Sequence, residues 1–158
     1  MRISLLLLAA FLWPAHAAGE PGAATDACAQ ASDTVSYNRC SAEQLQAARS
    51  QMQMTFDATK AKSRDSDGAL AALLASQEKW EASYRADIAA RFADEDAALA
   101  RGEHVGTAYT SAHNWYEARL VRDRTEWLCE LLSGPAYGES DPAPCGELVL
   151  RTQTIFKN

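Results

Sequence analysis

The sequence predicts an all-α protein, an antiparallel three-helix bundle. Three stretches repeat apolar residues at steps of three and four, the spacing that lines one face of an α-helix. Short turn-forming sequences separate them, and no long run alternates apolar and polar residues as a strand would. Because amphipathic helices gain most of their stability from packing, the three apolar faces are expected to meet in one core.

The N-terminal segment has the layout of a secretory signal peptide. A basic start precedes an apolar run from Ile3 to Trp13, and small residues flank His16. This run is too short to cross a hydrocarbon core of about 30 Å. We therefore predict a signal peptide over residues 1–17, cleavage near Ala17, and a protein that is periplasmic or secreted.

The charge balance is acidic. The chain has 15 Lys and Arg residues against 21 Asp and Glu residues, and loss of Arg2 with the signal peptide leaves 14 against 21, a net charge of −7. Such an excess argues against binding to nucleic acid or to anionic membrane surfaces. It favours a basic protein partner, and no second apolar stretch is long enough for a membrane span.

All four cysteines follow the predicted cleavage point, and an even number in an exported chain favours two disulfides. Three pairings are possible. We favour Cys28–Cys40 and Cys129–Cys145, because each closes a short loop that contains turn-forming residues. Their spacings lack the Cys-x2-Cys knuckle of a zinc site, so no metal and no other cofactor is expected.

The first helix is predicted over residues 42–61, after a flexible stretch, 18–27, and a loop or short helical turn, 28–40. Ser41 is a plausible N-cap, with Gln44 completing a capping box. The predicted apolar stripe consists of Leu45, Ala48, Met52, Phe56 and Thr59.

The second helix is predicted as one rod of about 45 Å over residues 70–99. A turn over residues 64–68 precedes it, and Gly102 suits the left-handed position that ends a helix. The predicted stripe consists of Leu70, Leu73, Leu74, Trp80, Tyr84, Ile88, Phe92 and Leu99.

The third helix is predicted over residues 107–132 and ends at Ser133-Gly134-Pro135. Residues 28–132 would form the helical domain, and residues 133–158 a loop and tail held by the second disulfide. The predicted stripe consists of Tyr109, Ala112, Tyr116, Leu120, Trp127 and Leu131, flanked by Trp115, Val121 and Leu128.

No catalytic site can be assembled from sequence motifs, so we predict a protein that is not an enzyme. The chain lacks a P-loop, a Gly-x-Ser-x-Gly elbow and a Cys-x-x-Cys motif. His104 and His113 are interpreted as solvated surface residues; His113 and Glu117 have metal-ligand spacing but no third ligand. The three acidic side chains of residues 94–96 would point in different directions on a helix, so they cannot converge on one substrate. They are interpreted as part of a solvated face.

Four polar and aromatic residues stand together in the second helix. Trp80 and Tyr84 share one helix face and are expected in the core. Arg85 is expected to pair with a carboxylate of another helix, and Gln77 to hydrogen-bond to a neighbouring helix. A polar clasp that fixes helix register is favoured over a partner-binding hot spot, although Trp, Tyr and Arg are enriched in hot spots.

Roughly residues 28–128 carry a family pattern. Cys28 and Cys40 match its cysteine pair, and two helix motifs follow, one of which has an extra residue between tryptophan and tyrosine. The matching helix positions are Leu74, Ser76, Gln77, Trp80, Tyr84 and Arg85, then Val121, Arg124 and Leu128. This set resembles the lysozyme-inhibitor LprI family of small cysteine-rich helical domains. The family's second cysteine pair is missing, with Ala89 and Tyr116 near its places, so Cys129–Cys145 is predicted to be a replacement staple.

The resemblance implies an exported, non-enzymatic protein that binds a basic lysozyme or another peptidoglycan hydrolase. It also implies that five motif residues have a structural or partner-binding role: Gln77, Trp80, Tyr84, Arg85 and Arg124. One alternative is an immunity or accessory protein for a secreted toxin or envelope assembly, and a minor one is a small hydrolase.

Overall fold

The computed structural model describes residues 28–134 and Cys145. Most of this range lies in four α-helices, α1 (Thr34–Lys62), α2 (Asp67–Arg91), α3 (Ala93–Ala100) and α4 (Tyr109–Ser133). A 3₁₀ turn, Ser63–Asp65, joins the first two helices, and no strand occurs among the described residues. The predicted signal peptide, flexible N-terminus and C-terminal tail lie outside the described residues, as does most of the loop before Cys145.

The three long helices run up, down and up. At one end of the bundle the Trp115 Nε1 of α4 donates to the Tyr37 hydroxyl of α1 at 3.2 Å. At the other end, the Lys62 Nζ donates to the Leu132 carbonyl at 2.7 Å. Thus α1 and α4 run parallel to each other. Helix α2 runs antiparallel to both, and the predicted antiparallel bundle of an all-α fold is confirmed.

The core lies mainly between α1 and α4. Leu45 and Ala48 of α1 pack with Ala118 and Val121 of α4 in one buried cluster. Met52 of α1 and Trp80 and Tyr84 of α2, all partly buried, pack against this cluster. Leu73 is the only buried residue of α2, so this helix packs through a narrow apolar face.

The first helix starts earlier than the sequence predicts, at Thr34 rather than Ala42. Asp33 is the cap: its Oδ1 accepts from the Ser36 backbone N–H at 2.8 Å, and the Ser36 hydroxyl accepts from the Asp33 N–H at 3.2 Å. This reciprocal pair is a capping box with serine at the third position. The prediction of Ser41 as the cap is wrong, because Ser41 is fully buried and accepts from Asn114 Nδ2 of α4 at 3.0 Å.

The predicted second rod is broken into α2 and α3 at Phe92. This residue leaves helical geometry, at φ −117° and ψ 20°, and is 5 % exposed. Its ring meets the rings of Tyr109 and Tyr116 edge to face, at 5.8 and 5.7 Å between centroids. Three acidic residues in the first turn of α3 suit the positive end of its dipole, which favours a new helix start there.

The predicted apolar stripe of the last helix is displaced from the face that the structure buries. Ala118, Val121 and Leu128 are fully buried, whereas Trp127 is 36 % and Leu131 42 % exposed. The buried face also contains Glu117, Arg124 and Thr125, and these polar residues hide its periodicity in the sequence. The two predicted glycine helix ends are confirmed. Gly102 has a φ of 75° just after α3, and Gly134 caps α4 with a φ of 124°.

Candidate functional site

Both favoured disulfides are present. Cys28 pairs with Cys40, and Cys129 pairs with Cys145. The first bridge joins the chain before α1 to the second turn of that helix, and Cys28 is 2 % exposed. The second bridge joins Cys145 to the last turns of α4, through Cys129.

A buried carboxylate, that of Glu117 on α4, joins all three long helices. Arg49 of α1 donates from Nη2 to Glu117 Oε2 at 2.5 Å, and the Tyr84 hydroxyl of α2 donates to the same oxygen. His113 Nδ1, one turn earlier on α4, lies 2.9 Å from Glu117 Oε1. Since Glu117 is only 7 % exposed, these donors replace the water that its charge would otherwise bind.

The donors around Glu117 are shifted in pKa by these contacts. Burial, together with the hydrogen bond to Glu117, raises the pKa of the Tyr84 hydroxyl, which therefore stays a donor. The hydrogen bond to Tyr84, with a further contribution from Glu117, raises the pKa of the Arg49 guanidinium. The group is thus a charge-assisted network that fixes the helices relative to one another.

A second polar contact joins α2 to α4 two turns further along. Arg124 of α4 donates from Nε to Gln77 Oε1 at 3.2 Å and from both terminal nitrogens to Ser76 Oγ at 3.3 Å. Its guanidinium lies over the ring of Trp127, 4.0 Å from the centroid, and 5.7 Å from that of Trp80. Burial lowers the pKa of Arg124, because no carboxylate of the described residues pairs with it.

The predicted motif residues therefore fall into two groups. Gln77, Trp80, Tyr84 and Arg124 lie together between α2 and α4; Trp80 and Tyr84 stack at 5.1 Å. Arg85 does not join them. Its side chain is 69 % exposed and its partner is Glu81 of its own helix, at 3.9 Å, so the expected ion pair with another helix is wrong.

Sequence reasoning missed Arg49 and the central role of Glu117, and it gave Ser76 as a motif position without its contact to Arg124. It also placed His113 on the solvated surface, whereas this side chain is 25 % exposed and its ring lies 4.7 Å from that of Phe92. His104 is exposed, as expected. Among the described residues no three His, Cys, Asp or Glu side chains are grouped so that they could hold a metal ion.

An apolar groove of about 650 Å³ opens at the end of the bundle where α2 begins and α4 ends. Ala69, Ala72 and Leu73 of α2 line one side. Trp127 and Leu131 of α4 line the other and remain more than one third exposed. We call this the Trp127 groove. An exposed apolar patch can mark a protein-binding site, and Trp is enriched at the centres of such sites.

The two buried charged side chains, Glu117 and Arg124, are engaged by partners on neighbouring helices. Two of the exposed large apolar residues, Trp127 and Leu131, line the groove. None of the described helices is long and apolar enough to cross a membrane.

Neither a curated protein nor a solved structure matches this chain. A family model described as lysozyme inhibitor LprI matches residues 24–128, which include both motif helices and the contacts of Glu117 and Arg124. The chain therefore belongs to the lysozyme inhibitor LprI family.

Proposed function

We propose that this protein is an exported inhibitor that binds a lysozyme or another peptidoglycan hydrolase. The observation that carries the proposal is the family match over residues 24–128. The family model is described as lysozyme inhibitor LprI, and an inhibitor acts by binding its target.

Charge supports a basic partner. The chain carries 21 acidic residues against 15 Lys and Arg, and the exposed Asp94, Glu95 and Asp96 form the first turn of α3. Lysozymes of the c type are basic, so opposite net charges would speed their encounter with this protein. The two disulfides are consistent with an oxidising compartment outside the cytoplasm, where such a hydrolase acts.

The Trp127 groove is the surface that we propose meets the hydrolase. Trp127 is held over the guanidinium of Arg124, so its ring is already fixed before a partner arrives. A fixed aromatic side chain loses little conformational entropy on binding, which makes it a good anchor. Leu131, one turn later, extends the same apolar wall.

Purified mature protein titrated into a lysozyme turnover assay tests the proposal. We expect stoichiometric inhibition, with an association rate that falls as salt is raised from low to physiological ionic strength. Absence of inhibition at micromolar excess over several basic lysozymes would contradict it. Inhibition whose association rate does not change with salt would support the inhibitory function but would reject electrostatic attraction between the two proteins.

A further inference from the structure

A second concave site lies at the opposite end of α2, away from the Trp127 groove. This small pocket, of about 270 Å³, is lined by Arg91, Phe92, Ala112, Trp115, Tyr116 and Arg119. Its walls come from the end of α2 and from the first half of α4. We call it the Arg91–Arg119 pocket.

Three guanidinium groups lie over aromatic rings in and beside this pocket. Arg119 is 4.9 Å from the ring centroid of Tyr116, and Arg91 is 5.7 Å from that of Phe92. Arg122 is 5.7 Å from the ring centroid of Trp115. All three arginines are exposed.

None of these arginines forms an ion pair within the described part of the chain. The ion pairs found there involve Arg49, Arg85, Arg101 and His113 instead. In a chain with six more negative than positive charges, three neighbouring unpaired guanidiniums are not explained by the overall charge balance. A guanidinium that lies against a ring keeps its N–H edge available, and that edge matches a carboxylate in a bidentate manner.

We propose that the Arg91–Arg119 pocket binds a carboxylated sugar. The carboxylate would be held by the N–H edges of Arg91 and Arg119, which approach from two different helices. The C–H face of the sugar ring would lie against the faces of the Trp115 and Tyr116 rings that Arg122 and Arg119 leave uncovered. The pocket has room for about one monosaccharide, and a few polar groups among aromatic walls are typical of small-ligand sites.

The pocket differs in chemistry and position from the Trp127 groove, so this inference does not depend on the proposed hydrolase partner. Trp115 adds a rigid wall, because its Nε1 is already engaged by the Tyr37 hydroxyl of α1 at 3.2 Å. A ligand would therefore meet the ring face and not the indole N–H.

Titration of ¹⁵N-labelled mature protein with N-acetylmuramic acid, followed by NMR, tests the proposal. We expect saturable shifts of the Trp115 indole and of Arg side-chain signals, with a dissociation constant in the millimolar range. N-acetylglucosamine, which has the same ring without the lactyl ether that carries the carboxylate, should bind at least about tenfold more weakly, because it offers no charged acceptor to the two arginines.

Single variants locate the site. Arg91→Gln and Arg119→Gln should each weaken N-acetylmuramic acid binding by about tenfold or more. Arg64→Gln, an exposed arginine in the turn at the far end of α2, should leave it unchanged. Circular dichroism confirms that each variant is folded.

The remaining outcomes overturn the proposal. Equal binding of the two sugars, or binding unaffected by both pocket variants, would show that the arginines do not hold a carboxylate. Lactate binding as tightly as N-acetylmuramic acid would leave a simple anion site and reject the sugar. Absence of saturable shifts at high millimolar sugar would reject the site altogether.

Discussion

Tyr84 of α2 donates its hydroxyl hydrogen bond to the buried carboxylate of Glu117 on α4, across the interface between these two helices. Arg49 of α1 reaches the same oxygen, so one carboxylate contacts all three long helices. Since Leu73 is the only fully buried residue of α2, this contact contributes a large share of what positions that helix.

Glu117→Gln should destabilise the protein by about 2 kcal/mol, because it removes the charge that receives Arg49 and Tyr84 while keeping the side-chain volume. Urea denaturation gives the free energy of unfolding. Glu81→Gln is the matched control: its carboxylate is half exposed and pairs with Arg85 at 3.9 Å, so about 0.5 kcal/mol or less is expected. Equal losses in the two variants would mean that Glu117 does not join the helices as described.

Trp80→Ala should cost about 2–3 kcal/mol, less than the 3–5 kcal/mol typical of a fully buried aromatic residue. Trp80 packs on the core cluster and stacks on Tyr84, but it is only partly buried. Leu128→Ala, at a side chain with no exposed surface, should cost at least as much despite its smaller size. A larger loss for Trp80→Ala in thermal and urea unfolding would show that α2 is held mainly by apolar packing.

The helix content, both disulfides and the antiparallel order follow from local signals: apolar spacing, turn residues and cysteine positions. The buried polar contacts do not. Glu117, Val121, Arg124 and Leu128 recur at steps of four and three, so two charged residues occupy an otherwise apolar stripe. Periodicity alone predicts that charged residues such as Glu117 and Arg124 face the solvent. In the structure their hydrogen bonds are made by residues that are distant in the sequence: Arg49 for Glu117, and Gln77 and Ser76 for Arg124.

The break at Phe92 was missed for a related reason. Its apolar side chain continues the stripe of α2 in the sequence, so a single rod is predicted. The ring is buried against Tyr109 and Tyr116, which lie on another helix. The local sequence pattern around Phe92 cannot reveal these contacts. The acidic run over residues 94–96 was a usable signal of a new helix start.

Stability should fall at alkaline pH through Tyr109. The hydrogen bond from its hydroxyl to Asp96 Oδ1, 2.6 Å long, raises the pKa of Tyr109 to about 12. A folded-state pKa above the unfolded value of about 10 gives stability that is complete below pH 10 and is lost as the pH rises from about 10 to 12.

Tyr109→Phe should therefore reduce the fall of the melting temperature between about pH 10 and pH 12. Below pH 10 the variant and the parent protein should respond to pH in the same way. Tyr84→Phe is expected to remove a second part of the alkaline loss, since burial and Glu117 also raise the pKa of Tyr84. If neither variant changes the slope above pH 10, the two hydroxyls are not held by carboxylates in solution.

Leu131→Asp should weaken inhibition of lysozyme by about tenfold or more if the Trp127 groove is the docking surface, because a hot-spot contact is worth about 2 kcal/mol. Leu99→Asp is the matched control. Leu131 and Leu99 are 42 % and 45 % exposed, but Leu99 lies on α3, outside the groove. Both substitutions add one negative charge and remove a similar apolar area, so the general attraction to a basic partner changes equally.

Inhibition constants of the two variants, measured in parallel, give the comparison. A greater loss in Leu99→Asp would move the docking surface to the acidic helix, whose charges at Asp94 and Glu95 would then meet the basic hydrolase directly.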